Sequence, residues 1–457
     1  MRRLRIVCAI LICKLARWGL RRLGRGGTNL PGKLAVRVCP ELLGSLGRQV
    51  YTIVVTGTNG KTTSSRMLEQ CLENANIPAF SNRSGANLLT GITAEFVANA
   101  TWTGKMRFAY AIIECDEAAF RRTAPLLDAK IVLMTNVFRD QLDRYGEITH
   151  TLNSIRGGIE QSPHATVCIN ADCAMSVEMM AGLSNPVRYF GVETPFYGDK
   201  GAGVTEVTRC TACGRDYVYE YRTYGHLGAY HCPGCGYHRP EAHVAVTKVL
   251  SQDIDESRIE VRIGDATHEA TINLPGAYNI YNAAGVIAAA NAMGLEFDVV
   301  GPALAEFRGG FGRMERFEIN GQTVRMILVK NPIGCSQVLH YLVEGQDPAL
   351  LIFSLNDKTA DGTDVSWIWD VDAEVLGQME DRLTAVYCAG TRADDLAVWL
   401  KYAGVDAEKI HVEYDDGKLL EIVGAAAVPV YIIPTYTAML SLRDKLARKY
   451  GLGQFWE

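Results

Sequence analysis

A lysine and a threonine set directly behind a glycine turn, in Gly57-Thr58-Asn59-Gly60-Lys61-Thr62-Thr63, are the residues of this chain best suited to chemistry. The glycines let backbone N–H groups converge on phosphate oxygens. Lys61 supplies a point charge for the β- and γ-phosphates, and the Thr62 hydroxyl is offered to Mg²⁺ at the positive end of the helix that follows. A β-branched run ahead, residues 51–55, and helix formers behind give the strand–loop–helix setting that such a cradle needs. The sequence therefore predicts a protein that binds ATP with Mg²⁺ and uses it.

Two further groups carry chemistry. Residues 110–117 end in Glu114-Cys-Asp116-Glu117, which places carboxylates at the carboxyl edge of a predicted strand, where an α/β fold binds its ligand; Glu114 is the Mg²⁺ candidate. A later strand runs through Asn136 into an acid-rich loop with Asp140 and Asp143, and for Asp143 a helix cap is an equal reading. Then Cys210-Thr-Ala-Cys213 and Cys232-Pro-Gly-Cys235 form two Cys-x-x-Cys knuckles with eighteen residues between them, the pattern of a four-thiolate zinc ribbon. Four thiolates fill a tetrahedral site and leave no position for water, so the zinc is expected to be structural.

The elements that must hold these groups read as α/β. Strands are predicted over residues 51–55, 110–114, 130–136, 165–170 and 187–191, with helical stretches between, which describes a parallel sheet wrapped by helices. An alanine-rich helix opens with Asn279 and Asn282, three residues apart and so on one face. Behind it, Arg308-Gly-Gly-Phe-Gly312-Arg313 is a glycine-loosened segment able to bring a charge onto phosphates. The last third alternates strands at 349–355, 383–389 and 428–434 with helices, a second and smaller α/β sheet.

Composition bounds the rest. A chain of 457 residues, 48% hydrophobic and 21% charged, can bury two or three full cores, and a net charge of -5 gives no general reason to expect nucleic acid. Thirteen cysteines at irregular spacing suit a reducing cytoplasm. The first forty residues hold ten arginines and lysines and no acid, around an apolar run too short to span a bilayer; this end is expected to be a basic amphipathic helix, either resting on the inner face of the membrane or docked on its own domain.

Taken in order, Gly57–Thr63, Glu114, Asn136, Asn279, Asn282 and Arg313 resemble the ATP-binding central domain of the Mur ligase superfamily, whose members activate a carboxylate as an acyl phosphate that an amine displaces. With the loop's lysine at position 61, the usual nucleotide-sugar domain ahead of the phosphate loop is expected to be missing, and the ribbon is foreign to the amino-acid-adding ligases. Those departures, with Lys330-Asn331-Pro332 and Asn356-Asp357 through Asp370 in the last third, make the chain similar to the MurT family, synthetase subunits of lipid II isoglutaminyl synthase. The resemblance implies a basic N-terminal segment (residues 1–48), a Mur ligase-like domain (49–317) with the ribbon inserted at about 205–240, and a C-terminal α/β domain (318–457) contacting a glutaminase partner, GatD. It further implies amidation of D-glutamate in the stem peptide of lipid II, with ATP, Mg²⁺ and structural Zn²⁺.

In that scheme Lys61 and Thr62 hold triphosphate and metal, Glu114 completes the metal shell, Asn279 and Asn282 face the nucleotide, and Arg313 steadies the phosphates. An aspartate of the C-terminal domain completes the partner's Cys-His triad; Asp361, Asp364 and Asp370 are the choices, with Asp364 or Asp370 favoured. Lys330 and Asn331 are weaker site candidates. Two other classes remain: a free-standing ligase of the folylpolyglutamate synthase type, disfavoured by the ribbon and the acid-rich segment at 361–370, and a nucleic-acid-dependent NTPase reading through the ribbon, disfavoured by Asp216, Glu220 and Glu241 in and beside it.

Overall fold

The computed structural model describes residues 2–22, 29–83, 85–138, 148–196, 209–210, 212–310 and 312–452. Three helices, α1 (Arg2–Arg22), α2 (Asn29–Val38) and α3 (Leu42–Gly47), precede the first strand. Then follow β1 (Tyr51–Thr56), α4 (Lys61–Asn74), β2 (Ala79–Ser81), α5 (Leu89–Ala98), β3 (Tyr110–Glu114), α6 (Glu117–Leu127), β4 (Ile131–Met134), β5 (Thr166–Asn170) and β6 (Val187–Val192). These six strands are parallel and mostly buried on both faces, which is why the sequence shows them as continuous β-branched runs.

The sheet is larger than the sequence predicts and not wholly parallel. It has nine strands, because β9 (Val244–Gln252), β10 (Ser257–Ile263) and β11 (Ala266–Ile272) continue it beyond β6 as an antiparallel meander. Between β6 and β9 lies the short hairpin β7 (Val218–Arg222) with β8 (Gly228–His231), a two-stranded sheet of its own. A second sheet of six strands has the order β12-β13-β17-β14-β15-β16, built from Glu315–Ile319, Gln322–Met326, Val430–Pro434, Ala349–Ser354, Leu383–Ala389 and Ile410–Val412.

Strand order fixes where a ligand can sit. β1 lies between β3 and β4, so the chain moves to one side of β1 to make β2 and β3 and to the other to make β4 and β5. The crevice outside the carboxyl ends at such a reversal is the general binding place of open α/β sheets. The helix Ala277–Ala292 covers this region, and its run of Ala283, Ala284, Ala288, Ala289 and Ala290 is buried, since small side chains let a helix pack close to a sheet. One apolar core continues from the large sheet through the helix Pro332–Glu344 into the small one.

Candidate functional site

The turn after β1 is shaped by two glycines that no other residue can replace. Gly57 (φ 122°) packs its α-carbon where a Cβ would meet Thr135 Oγ1 and lie 2.7 Å from the Asn136 carbonyl; at Gly60 (φ 83°) a Cβ would collide with the Asn282 side chain. Asn136 holds the turn from the end of β4: its Oδ1 accepts from the Asn59 N–H at 3.0 Å and its Nδ2 donates to the Asn59 carbonyl at 3.2 Å. Thr58 does not face the ligand, because its hydroxyl bonds Phe138 O and accepts from Phe138 N, at 3.2 and 3.1 Å.

Lys61 opens α4 and is buried, with its ammonium on the carbonyls of Gly57 and Thr58 and 2.8 Å from Glu117 Oε2. Burial alone would push its pKa down; the charges of Glu117, Asp116 and Glu114 outweigh that and hold it above the usual lysine value. Thr62 Oγ1 donates to Glu114 Oε2 at 2.8 Å, so a hydroxyl and a carboxylate oxygen stand side by side, the hard oxygen pair a Mg²⁺ takes from protein beside its waters and phosphates. Glu114 is itself fixed by Asn87, which donates to Oε1 at 3.1 Å, and by Asn82, which pairs with its main chain at 2.8 and 2.9 Å. Asp116 caps α6 through the N–H groups of Ala118 and Ala119. Asp140 and Asp143 lie outside the described residues.

The crevice in front of this cradle is walled by both sheets' domains. Asn59, Gly60, Thr63 and Asn136 form one side, with Asn279, Asn282 and Arg313 on another, and Ile333, Gly334 and Gln337 close it from the C-terminal domain. Asn282 donates to Asn279 Oδ1 at 3.1 Å, and Asn279 donates to the Pro275 carbonyl at 2.7 Å, which leaves both amides oriented. Burial lowers the Arg313 pKa, partly offset by the charge of Glu114. Asn331 caps the helix Pro332–Glu344 and donates to Asn59 Oδ1 at 3.0 Å, a direct tie between the phosphate turn and the second domain.

Sequence reasoning placed Glu117 among the edge carboxylates without pairing it to Lys61, and missed Asn82, Asn87 and the ribbon residue Tyr224. A buried lysine demands a counter-charge, and that requirement points to an acid near Glu114 without saying which. Tyr224 sits at the tip of the β7–β8 hairpin, lines the crevice, stacks on Phe138 with ring centroids 5.8 Å apart, and meets Tyr281 edge-on at 5.5 Å. Nothing local in the sequence announces that placement.

The four ribbon cysteines lie together, all sulfurs within 4.8 Å of one another, with Cys213–Cys232 at 3.3 Å and Cys210–Cys235 at 3.6 Å. Tetrahedral zinc with sulfurs at about 2.3 Å puts them about 3.8 Å apart, so the donor set fits a structural Zn²⁺. The ribbon is anchored through buried Asp172, which accepts from Arg239 Nε at 2.6 Å, Tyr281 Oη at 2.5 Å and Val192 N at 2.8 Å.

In the same hairpin tip, His226 is buried against Phe138, centroids 4.7 Å apart, and burial pushes its pKa down to about 4. In the unfolded chain the imidazole takes its proton near pH 6.5, so the unfolded state binds more protons as pH falls, and stability drops between about pH 6.5 and about 4, by about 3 kcal/mol in all. Urea midpoints across this window should fall less steeply in His226→Gln than in the parent; equal slopes would show that the imidazole is not held neutral.

The C-terminal acids do not line the crevice. Asp361 is buried and accepts from Thr437 N and Oγ1 at 2.6 and 2.5 Å, tying its loop to the helix Tyr436–Tyr450. Asp364 and Asp370 are exposed, beside exposed Trp369 on the short turn Ser366–Asp370.

The chain matches two family descriptions: Mur ligase middle domain over residues 55–222 and MurT ligase C-terminal over 328–439. It is 35% identical over 453 residues to the Streptococcus pneumoniae lipid II isoglutaminyl synthase (glutamine-hydrolyzing) subunit MurT, covering 98% of each chain. It is 32% identical over 451 residues to the Staphylococcus aureus subunit of the same name, covering 98% of this chain and 99% of that one. Among solved structures, MurF from Acinetobacter baumannii superimposes with a TM-score of 0.66 at 14% identity, over 91% of this chain and 80% of that one, which establishes a shared fold. With its phosphate turn on a Mur ligase scaffold and likeness along nearly its whole length, the chain belongs to the MurT family of Mur ligase-like, ATP-dependent ligase subunits.

Proposed function

We propose that the chain is the synthetase subunit of a two-protein amidotransferase, acting in the cytoplasm, that converts the α-carboxylate of D-glutamate in the stem peptide of lipid II to the amide of D-isoglutamine. The observation that carries this reading is the pairing of Thr62 with Glu114, beside buried Lys61, directly behind a turn whose Asn59 and Gly60 line a crevice that the C-terminal domain closes, in a chain related along its full length to the MurT subunits. ATP, when bound with Mg²⁺, supplies the γ-phosphoryl group. Lys61 and the turn's N–H groups bind the triphosphate, Thr62 and Glu114 hold the metal, Asn136 keeps the turn in shape, and Arg313 faces the phosphates across the crevice.

A carboxylate oxygen of the substrate attacks the γ-phosphorus as the bond to ADP breaks. Ammonia then attacks the acyl carbon, loses a proton, and expels phosphate that carries the carboxylate oxygen. Substrate labelled with ¹⁸O in that carboxylate should release one ¹⁸O per phosphate; unlabelled phosphate during productive turnover would remove the acyl phosphate. The partner's glutaminase would draw its third triad member from Asp364 or Asp370, the exposed acids, since Asp361 is spent on Thr437. In the reconstituted pair, changing the right one to Asn should lower glutamine hydrolysis about 10²-fold or more and leave ATP binding intact. If neither change affects hydrolysis, the triad does not draw on this segment.

A further inference from the structure

Helix α1 carries two apolar stripes where a helix docked on one domain needs one. The inner stripe, Ile6, Ala9, Ile10 and Cys13, packs toward α2 and α5, with Ala9, Ile10 and Cys13 wholly buried and Gly104 beneath Ile6 and Ile10. Arg17 Nη2 pairs with Glu95 at 3.3 Å and Lys14 Nζ donates to the Ala100 carbonyl at 2.5 Å, so this face is fastened down. The outer stripe, Leu4, Leu11, Leu15 and Trp18, follows the seven-, four- and three-residue steps of one helix face on the opposite side, and these side chains are 68%, 38%, 60% and 57% exposed. Trp102 adds a second exposed indole under the Lys14 ammonium, 4.9 Å away.

The charge around this stripe has one sign. Arg3, Arg5 and Arg22 are exposed on α1, and Lys33 and Arg37 on α2; no acid occurs before Glu41. Among the described residues no helix is long and apolar enough to cross a membrane. We infer that the outer face of α1 is a docking surface for an anionic lipid bilayer, with the Leu and Trp side chains at the headgroup boundary and the arginines on lipid phosphates. Exposed bulky apolar residues flanked by exposed cations, which among the described residues form no ion pair with an acid, have the composition of an interfacial helix, and the apolar stripe needs a partner that the cations also suit.

The test uses the full chain with its partner subunit and vesicles of phosphatidylglycerol and phosphatidylcholine in equal parts, against phosphatidylcholine alone. Co-sedimentation with the mixed vesicles, weakened by salt, is expected. Arg3→Gln/Arg5→Gln/Arg22→Gln should reduce it on the order of 100-fold, at about fivefold per charge, and Leu11→Ser/Leu15→Ser should abolish it with nucleotide binding unchanged. Failure of the parent protein to sediment, or equal binding to both vesicle types, overturns the inference. So does a stable oligomer or subunit contact that Leu11→Ser/Leu15→Ser disrupts, since the stripe would then face protein. The vesicles contain no substrate, so failure here leaves the ligase reading untouched.

Discussion

Lys61→Ala is expected to lower ATP-dependent amidation about 10³-fold while the zinc and the partner subunit stay bound. Phosphoryl transfer asks the protein chiefly for position and charge, and loss of one preorganised donor in a dry site has an effect of about 10²–10³-fold or more. Lys61 meets that description: it is buried, charged, and held by the carbonyls of its own turn. Its removal has a second consequence. Glu117, 2.8 Å away and 2% exposed, would be left as an uncompensated buried carboxylate, which destabilises by about 3–5 kcal/mol. A dead Lys61→Ala protein alone is therefore ambiguous between lost chemistry and lost fold. The double variant Lys61→Ala/Glu117→Gln resolves this: its urea midpoint should return most of the way to the parent value while amidation stays about 10³-fold down. Turnover recovering with stability would show that Lys61 serves the fold and not the phosphates.

The ion pair also marks the limit of what the sequence could disclose. β1, β3 and the phosphate turn were legible because a parallel strand buried on both faces must be a β-branched run and because only glycines fit at positions 57 and 60. Predicted strand ends agree with the structure within two residues, as at Lys130, which stands just before β4. The meander β9–β11 left a signal that was not read: the two-residue turn Gly264-Asp265 separates β10 from β11, and buried Ile259, Val261, Ala270 and Ile272 alternate there with more exposed neighbours, whereas β9, buried over Val244–Val246 and solvated after it, shows no clear period. Among Glu114, Asp116 and Glu117 the sequence offered three carboxylates in four positions. Only the structure separates the one beside Thr62, the one capping α6 and the one beside Lys61, because a strand end followed by a helix start turns successive side chains in unrelated directions.

Cys232→Ser is expected to strip the metal from the ribbon, lower stability by about 2–5 kcal/mol, the scale of losing a native cross-link, and weaken nucleotide binding although no cysteine lines the crevice. The route is a chain of contacts. Cys232 follows β8 directly, and β8 pairs with β7 around the tip that carries Tyr224. Tyr224 packs on Phe138, whose backbone clips Thr58 in the phosphate turn, and on Tyr281, one residue before Asn282. Tyr281 in turn bonds Asp172, which holds Arg239 just past the second knuckle. A ribbon that loses its four-sulfur centre frees the hairpin at one end and loosens both walls of the crevice at the other. Tyr224→Ala separates the two halves of this argument: it should keep a full equivalent of zinc and still lose nucleotide affinity, whereas Tyr224→Phe, which retains the ring, should keep both. If Cys232→Ser loses its zinc yet binds nucleotide like the parent, the ribbon is a passive insertion and the crevice stands without it.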